Sequence, residues 1–158
     1  MAKTAREEAQ KIIADNRKAH HDYHLIETFE AGVALLGTEV KSIREGGVQL
    51  RDSFARIEGG EVWIYNVHIR AYSNRGYSDH EPTRKRKLLL HRREIDRLSG
   101  KIREKGYTLV PLSLYEKKGR VKAELGLVHG KQSWDKREDS KKRESQREID
   151  RAMASRRR

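Results

Sequence analysis

Between residues 120 and 129 the side chains Val121, Ala123, Leu125 and Leu127 alternate with Lys122, Glu124 and Gly126. A period of two sends the two sets to opposite faces of an extended chain, so this segment predicts a strand with one dry and one wet face. Such a strand needs an antiparallel neighbour. Residues 107–115 supply it, reached through a turn at Glu116-Lys117-Lys118-Gly119. Gly59-Gly60 separates residues 53–58 from 61–65 in the same way, because paired glycines give the positive φ values that a tight hairpin turn demands. Residues 23–36 also mix apolar and polar positions at a β-like period, with Gly32 as a bend. Residues 67–72 extend the strand of 61–65 or start another.

Two helices interrupt these strands. Across residues 38–47 Thr38 is placed to cap, Glu39 suits the positive N-terminus, Val40 and Ile43 point inward, and Gly46-Gly47 end the helix. From about His91 to Lys105 the spacing of Ile95, Leu98 and Ile102 predicts a second helix lying on the sheet, stopped by Gly106. The intervening residues 73–86 read as a polar loop, long for a small domain and therefore a candidate functional segment. Five to seven antiparallel strands with two inserted helices predict a mainly β fold, an OB-like closed antiparallel barrel that leaves no exposed sheet edge. The expected organisation is a frayed or loosely docked N-terminus (residues 1–15), the barrel (16–130) and a basic C-terminal tail (131–158).

The tail holds Trp134, Ile149 and Met153 as its only large apolar side chains. It has too little apolar surface to offset its ordering entropy and is expected to be disordered when free. Yet Glu138 with Lys142, and Asp139 with Arg143, are acid-before-base pairs four residues apart, and the stretch lacks Gly and Pro. It therefore reads as a latent basic helix that forms on a surface.

Charge points to what that surface is. The 158 residues carry 36 Lys and Arg against 24 Asp and Glu, a formal net charge of +12, which calls for a polyanionic partner. No window approaches the ~20 apolar residues of a membrane span and the first residues carry no apolar signal core, so neither secretion nor a membrane partner is expected, and the cytoplasm is the expected location. The absence of Cys excludes disulfides, thiol nucleophiles and the usual structural zinc sites. His20, His21, Asp22 and His24 match no zinc signature, so no metal, cofactor or catalytic centre is expected and the chain is not read as an enzyme. The cations come in blocks: Arg17-Lys18, Lys41 with Arg44, Arg84-Lys85-Arg86-Lys87, and Arg92-Arg93. Four adjacent like charges repel unless a polyanion screens them, so residues 84–87 are expected to meet RNA phosphates.

Seven motifs in fixed order carry a family resemblance. They are Asn16-Arg17-Lys18-Ala19-x-His21-Asp22-Tyr23, Phe29-Glu30-Ala31-Gly32-Val33, Gly37-x-Glu39-Val40-Lys41-Ser42, Leu50-x-Asp52-Ser53-Phe54, Arg86-Lys87-Leu88-Leu89-Leu90-His91, Val110-Pro111-Leu112-Ser113-Leu114-Tyr115 and Gly130-Lys131-x-x-x-Asp135-Lys136-Arg137. From about residue 16 onward the chain closely resembles the SmpB family, the tmRNA-binding proteins of bacterial trans-translation. The resemblance implies that the barrel binds the tRNA-like domain of tmRNA, stands in for the missing anticodon stem and delivers it to the A site of stalled ribosomes. It implies that the tail senses an empty message channel so that the nascent peptide is tagged. Asn16, His21, Glu30 and Leu89 fall on family tmRNA-binding positions, with Lys41, Arg44, Arg86 and Lys87 as phosphate partners. Gly130, Lys131, Asp135, Lys136 and Arg137 fall on decoding-centre and tail positions, facing small-subunit rRNA. Trp134 stands where relatives often carry histidine; an indole can stack on an rRNA base but offers no imidazole chemistry. The implied state off the ribosome is a monomer. Two other readings of a basic barrel are a general RNA-binding ribosomal or initiation-factor-like protein and an RNA-processing enzyme; the ordered motifs favour ribosome rescue.

Overall fold

The computed structural model describes residues 10–72, 80–130 and 133–156. Among them lie nine strands and four helices: β1 (Gln10–Asp15), α1 (Arg17–Asp22), β2 (Tyr23–Val33), α2 (Gly37–Arg44), β3 (Val48–Gln49), β4 (Phe54–Glu58), β5 (Glu61–Tyr65), β6 (His68–Ile69), β7 (Arg86–Leu89), α3 (Arg92–Lys105), β8 (Thr108–Lys117), β9 (Arg120–Gly130) and α4 (Ser133–Arg156). Seven strands form one antiparallel sheet in the order β1-β8-β4-β5-β7-β2-β9, and β8 also pairs with β9. Strands β3 and β6 make a separate two-stranded ribbon.

Both predicted hairpins are present. Gly59 and Gly60 take φ of 59° and 75° between β4 and β5, while Lys118 and Gly119 take 51° and 74° between β8 and β9. Two consecutive positive φ values are the signature of the tight turn whose twist matches its strands. The dry faces then meet: Ala31, Val62, Ile64, Leu88, Leu109, Ala123, Leu125 and Leu127 form the core, and α3 adds the fully buried Leu98 with Ile95 and Ile102 packed beside it. Gly106, at φ 65°, ends α3.

Three segments depart from expectation. Residues 10–15 are not frayed or loosely docked: they form β1, whose residues run from Gln10 opposite Lys117 to Asp15 opposite Ser113. Ile13 and Ala14 pack on the core while Ile12 stays exposed, the register shifting at a bulge between Ile12 and Ala14, and pairing along β8 wins over the helical reading of this end. The polar segment ends before Arg86, which opens β7; residues 73–79 lie outside the described ones. The tail, expected to be disordered when free, is one long exposed helix from Ser133 to Arg156. The lack of Gly and Pro and the acid-before-base spacing favour this helix, the latent one expected of the stretch.

Candidate nucleic-acid interface

Four cations gather where β2, β8 and β9 lie side by side. In register, Glu30 of β2 faces Glu124 of β9, and Tyr115 of β8 faces Lys122 of β9. Glu30, Lys117, Lys118, Arg120 and Lys122 line a shallow cup at the β8–β9 turn, four cations around one carboxylate. That carboxylate is already engaged. The Tyr115 hydroxyl donates to Glu30 Oε2 at 2.5 Å, and Lys117 Nζ donates to its two oxygens at 3.2 and 3.4 Å. The Tyr115 hydrogen bond, helped by Lys117 and outweighing burial, holds the Glu30 carboxyl below its ordinary range. Burial, reinforced by the adjacent carboxylate, pushes the Tyr115 phenol well up, so it remains a donor across the physiological range.

An apolar hollow adjoins the cup, lined by Val33, Leu35, Val40 and Leu89 and sharing Arg120 and Lys122 with it. Leu89 is 53% exposed, and it lies over Gly32, where an added Cβ would come within 3.3 Å of the Leu89 Cβ. A cationic cup beside an exposed apolar shelf can hold a phosphate while a sugar or base edge rests on the leucine.

The other expected site residues are placed unevenly. Lys41 is exposed with its ammonium 5.4 Å from the Tyr72 ring centre, and Arg44 reaches Glu116 of β8 at 3.5 Å. Lys87 points outward and donates to Glu61 at 2.9 Å. His21 of α1 contacts Asp22 through Nδ1 at 3.0 Å and the Ser140 hydroxyl of α4 through Nε2 at 3.4 Å. Asn16 is buried, and its side chain accepts from the Ala19 N–H and donates to the Pro111 carbonyl. It shapes α1 rather than presenting a free polar group. Gly130 closes β9 opposite Tyr23, Arg137 is exposed on α4, and Trp134, Asp135 and Lys136 lie in its first turns. Lys131 falls outside the described residues.

Arg86 is a correction. It was expected to meet phosphate, but it is 1% exposed, and its guanidinium donates to Glu39 and to the carbonyls of Val67 and Pro82. Strand alternation is the reason: Arg86 and Leu88 point in, Lys87 and Leu89 point out. The repulsion among residues 84–87 is screened inside the protein, by Glu39 for Arg84 and Arg86, Glu58 for Lys85 and Glu61 for Lys87. Burial opposes the charge on Glu39, yet hydrogen bonds from the Leu36 N–H, Arg84 and Arg86 outweigh it and hold the carboxyl below its usual range. Sequence reasoning missed Tyr115, Lys117, Lys118, Arg120 and Lys122 as one group. The signal available was the dense run of cations on either side of the Gly119 turn. Among the described residues no group of three or more His, Asp or Glu is arranged to hold a metal ion, and no helix is long and apolar enough to cross a membrane.

Comparison with known proteins agrees with this geometry. The family model described as SmpB protein matches residues 13–155. The SsrA-binding protein of Carboxydothermus hydrogenoformans is 62% identical over 147 residues, covering 93% of this chain and 99% of that one. The SsrA-binding protein of Geobacillus kaustophilus is 59% identical, covering 92% of this chain and 94% of its own length. A solved structure described as "tmRNA-SmpB: a journey to the center of the bacterial ribosome" superposes with a TM-score of 0.65 at 50% identity, covering 78% of this chain and 87% of that one. Matches of this extent, between chains of nearly equal length, leave one conclusion: this chain belongs to the SmpB family.

Proposed function

We propose that this chain binds the tRNA-like domain of tmRNA and carries it to the A site of stalled ribosomes, where the nascent peptide is tagged by trans-translation. The observation that carries the reading is the cup of Lys117, Lys118, Arg120 and Lys122 around Glu30, beside the exposed Leu89. It joins two residues at family tmRNA-binding positions to four cations suited to phosphate. Its role is binding, not catalysis, and its place of work is the cytoplasm, where ribosomes are. The sheet is best read as an OB-like closed barrel: β8 pairs with β4 on one side and β9 on the other, and β9 leads back through β2, β7 and β5 to β4. Residues 16–130 form the RNA-binding unit, with β1 bound to its β8 edge, and residues 131–158 form the arm that works in the ribosome.

In this reading Gly130 gives the chain a pivot where the sheet hands over to α4. Trp134 and Asp135-Lys136-Arg137 meet the decoding centre, and the cations further along α4 follow the rRNA phosphates of an empty message channel. The test is tagging on ribosomes stalled at a message end, run beside tmRNA binding with the same proteins. A chain ending at Gly130 is expected to bind tmRNA with nearly normal affinity and to fail in tagging. Prolines at Ser140 and Ser145 are expected to copy that failure, since each costs about 3 kcal/mol in a helix interior without removing a charge. Normal tagging by the shortened chain would refute the channel role, and loss of tmRNA binding would refute the division of labour.

A further inference from the structure

A row of three rings crosses the end of the sheet just before α4, apart from the cup at the β8–β9 turn. His129 of β9 is set opposite His24 of β2 in the antiparallel register, so the two imidazoles leave the same face. Directly opposed positions bring Cβ atoms to about 4.5–5.5 Å, close enough for two side chains to share one small ligand. The His24 and His129 ring centres lie 4.9 Å apart with their planes tilted by 41°. On the other side of β9, Thr108 pairs with Val128, which brings Tyr107 beside His129; those rings stack at 5.8 Å and 24°. Tyr107 is itself packed on the core, so it steadies the imidazole by its face, and stacking does not cover the ring edge where the nitrogens are. His24 is half-buried and His129 exposed, so small solutes reach both.

We propose that His24 and His129 form a binding site for one divalent transition-metal ion of the zinc type. A neutral imidazole donates a lone pair in the plane of its ring and suits Zn²⁺, Cu²⁺ and Ni²⁺ rather than the oxygen-seeking Mg²⁺. Two ring nitrogens ~2.0–2.1 Å from one ion, at a right or a tetrahedral angle, place the ring centres about 4.5–5.2 Å apart. The observed 4.9 Å falls within that span. Two imidazoles are fewer than the three or four protein ligands of a catalytic or structural zinc site, in keeping with the lack of a larger ligand group among the described residues. Water therefore completes the shell, and the ion exchanges with solvent. His129 directly precedes Gly130, the last residue of β9 before α4, so a bound ion cross-links β2 to the root of the tail.

The experiment uses the full chain without a histidine tag, as wild type, His24→Gln, His129→Gln and the double variant, each checked for an unchanged thermal melt in chelator. Zn²⁺ is titrated in by calorimetry, and backbone amide exchange is followed with and without it. The wild type is expected to take up one ion per chain at this pair. Each imidazole raises the effective concentration of the ion at the other, so either single substitution is expected to weaken uptake about a hundredfold. Amide exchange at residues 128–130 is expected to slow on adding Zn²⁺ to the wild type and to stay unchanged in the variants. His20→Gln and His68→Gln, at two other exposed histidines, are expected to leave uptake as it is. Uptake that survives in the double variant, uptake abolished by the His20 or His68 substitution, or displacement of Zn²⁺ by an excess of Mg²⁺ would each overturn the inference and leave the three rings as packing alone.

Discussion

Replacing Tyr115 by Phe removes one oxygen atom and tests whether Glu30 acts as an organiser of the cup. The Tyr115 ring is 6% exposed, and its hydroxyl donates to Glu30 Oε2 at 2.5 Å, so the phenylalanine keeps the packing and loses only the bond. A hydrogen bond to a charged group contributes about 1.5–3 kcal/mol when both partners are dry. The Glu30 side chain is 41% exposed, so water recovers part of it, and a loss of about 1 kcal/mol is expected. For a chain of this size that lowers the melting temperature by about 2–4 °C. The pH dependence carries a sign. Because the fold lowers the Glu30 pKa, its stabilisation is complete above the unfolded carboxyl value and disappears as pH falls through the lowered folded value. The gap between wild type and Tyr115→Phe is therefore expected to be flat from pH 7 to about pH 5 and to narrow below the ordinary Glu value of about 4.3. Without Tyr115, Glu30 no longer fixes Lys117, and tmRNA affinity should fall about fivefold, the equivalent of about 1 kcal/mol. Urea melts across pH and filter binding at constant salt measure both effects. A gap that persists unchanged to pH 3, together with normal tmRNA affinity, would refute the organising role.

Arg86→Met is expected to cost about 3–5 kcal/mol in urea denaturation because it leaves Glu39 with a buried, partly uncompensated charge, while Lys87→Gln, at the surface, should cost under about 1 kcal/mol. Equal effects would mean that the buried pair is not what holds α2 to β7. Lys117→Gln and Lys122→Gln are each expected to reduce the log-log dependence of tmRNA affinity on salt by about 0.7–0.9, the signature of one lost phosphate contact. Unchanged slopes would place the phosphates elsewhere.

Much of this fold was legible in the sequence because its strands announce themselves locally. The Val121-to-Leu127 alternation, the Gly59-Gly60 turn and the Ile95-Leu98-Ile102 spacing each need only a few neighbouring residues, and each matches the structure. What failed depends on partners far away. Residues 84–87 look like a naked block of charge until Glu39, 45 residues from Arg84, is folded against them. The Tyr115–Glu30 bond spans 85 residues and leaves no local trace. Ile12 and Ile13 fit a helix or a strand equally, and only the open edge of β8 decides between them. The tail's helix was legible locally as well, from the lack of Gly and Pro and the acid-before-base spacing.

The pairings of β8 bear on how the chain is made. Its neighbours β1, β4 and β9 come from residues as distant as Gln10, Ala55 and Arg120, and β2 waits for β9 to set Tyr23 opposite Gly130. Contacts of such long sequence separation form slowly, and none of them can form before the later strand has been synthesised. A nascent chain halted before Thr108 would lack β8 and β9 and so leave much of the inner faces of β2, β4 and β5 uncovered, a target for proteases and for aggregation. Synthesis of this protein is thus vulnerable to the very accident it is proposed to repair: a message broken within its first two thirds yields a fragment without the two strands that close its sheet.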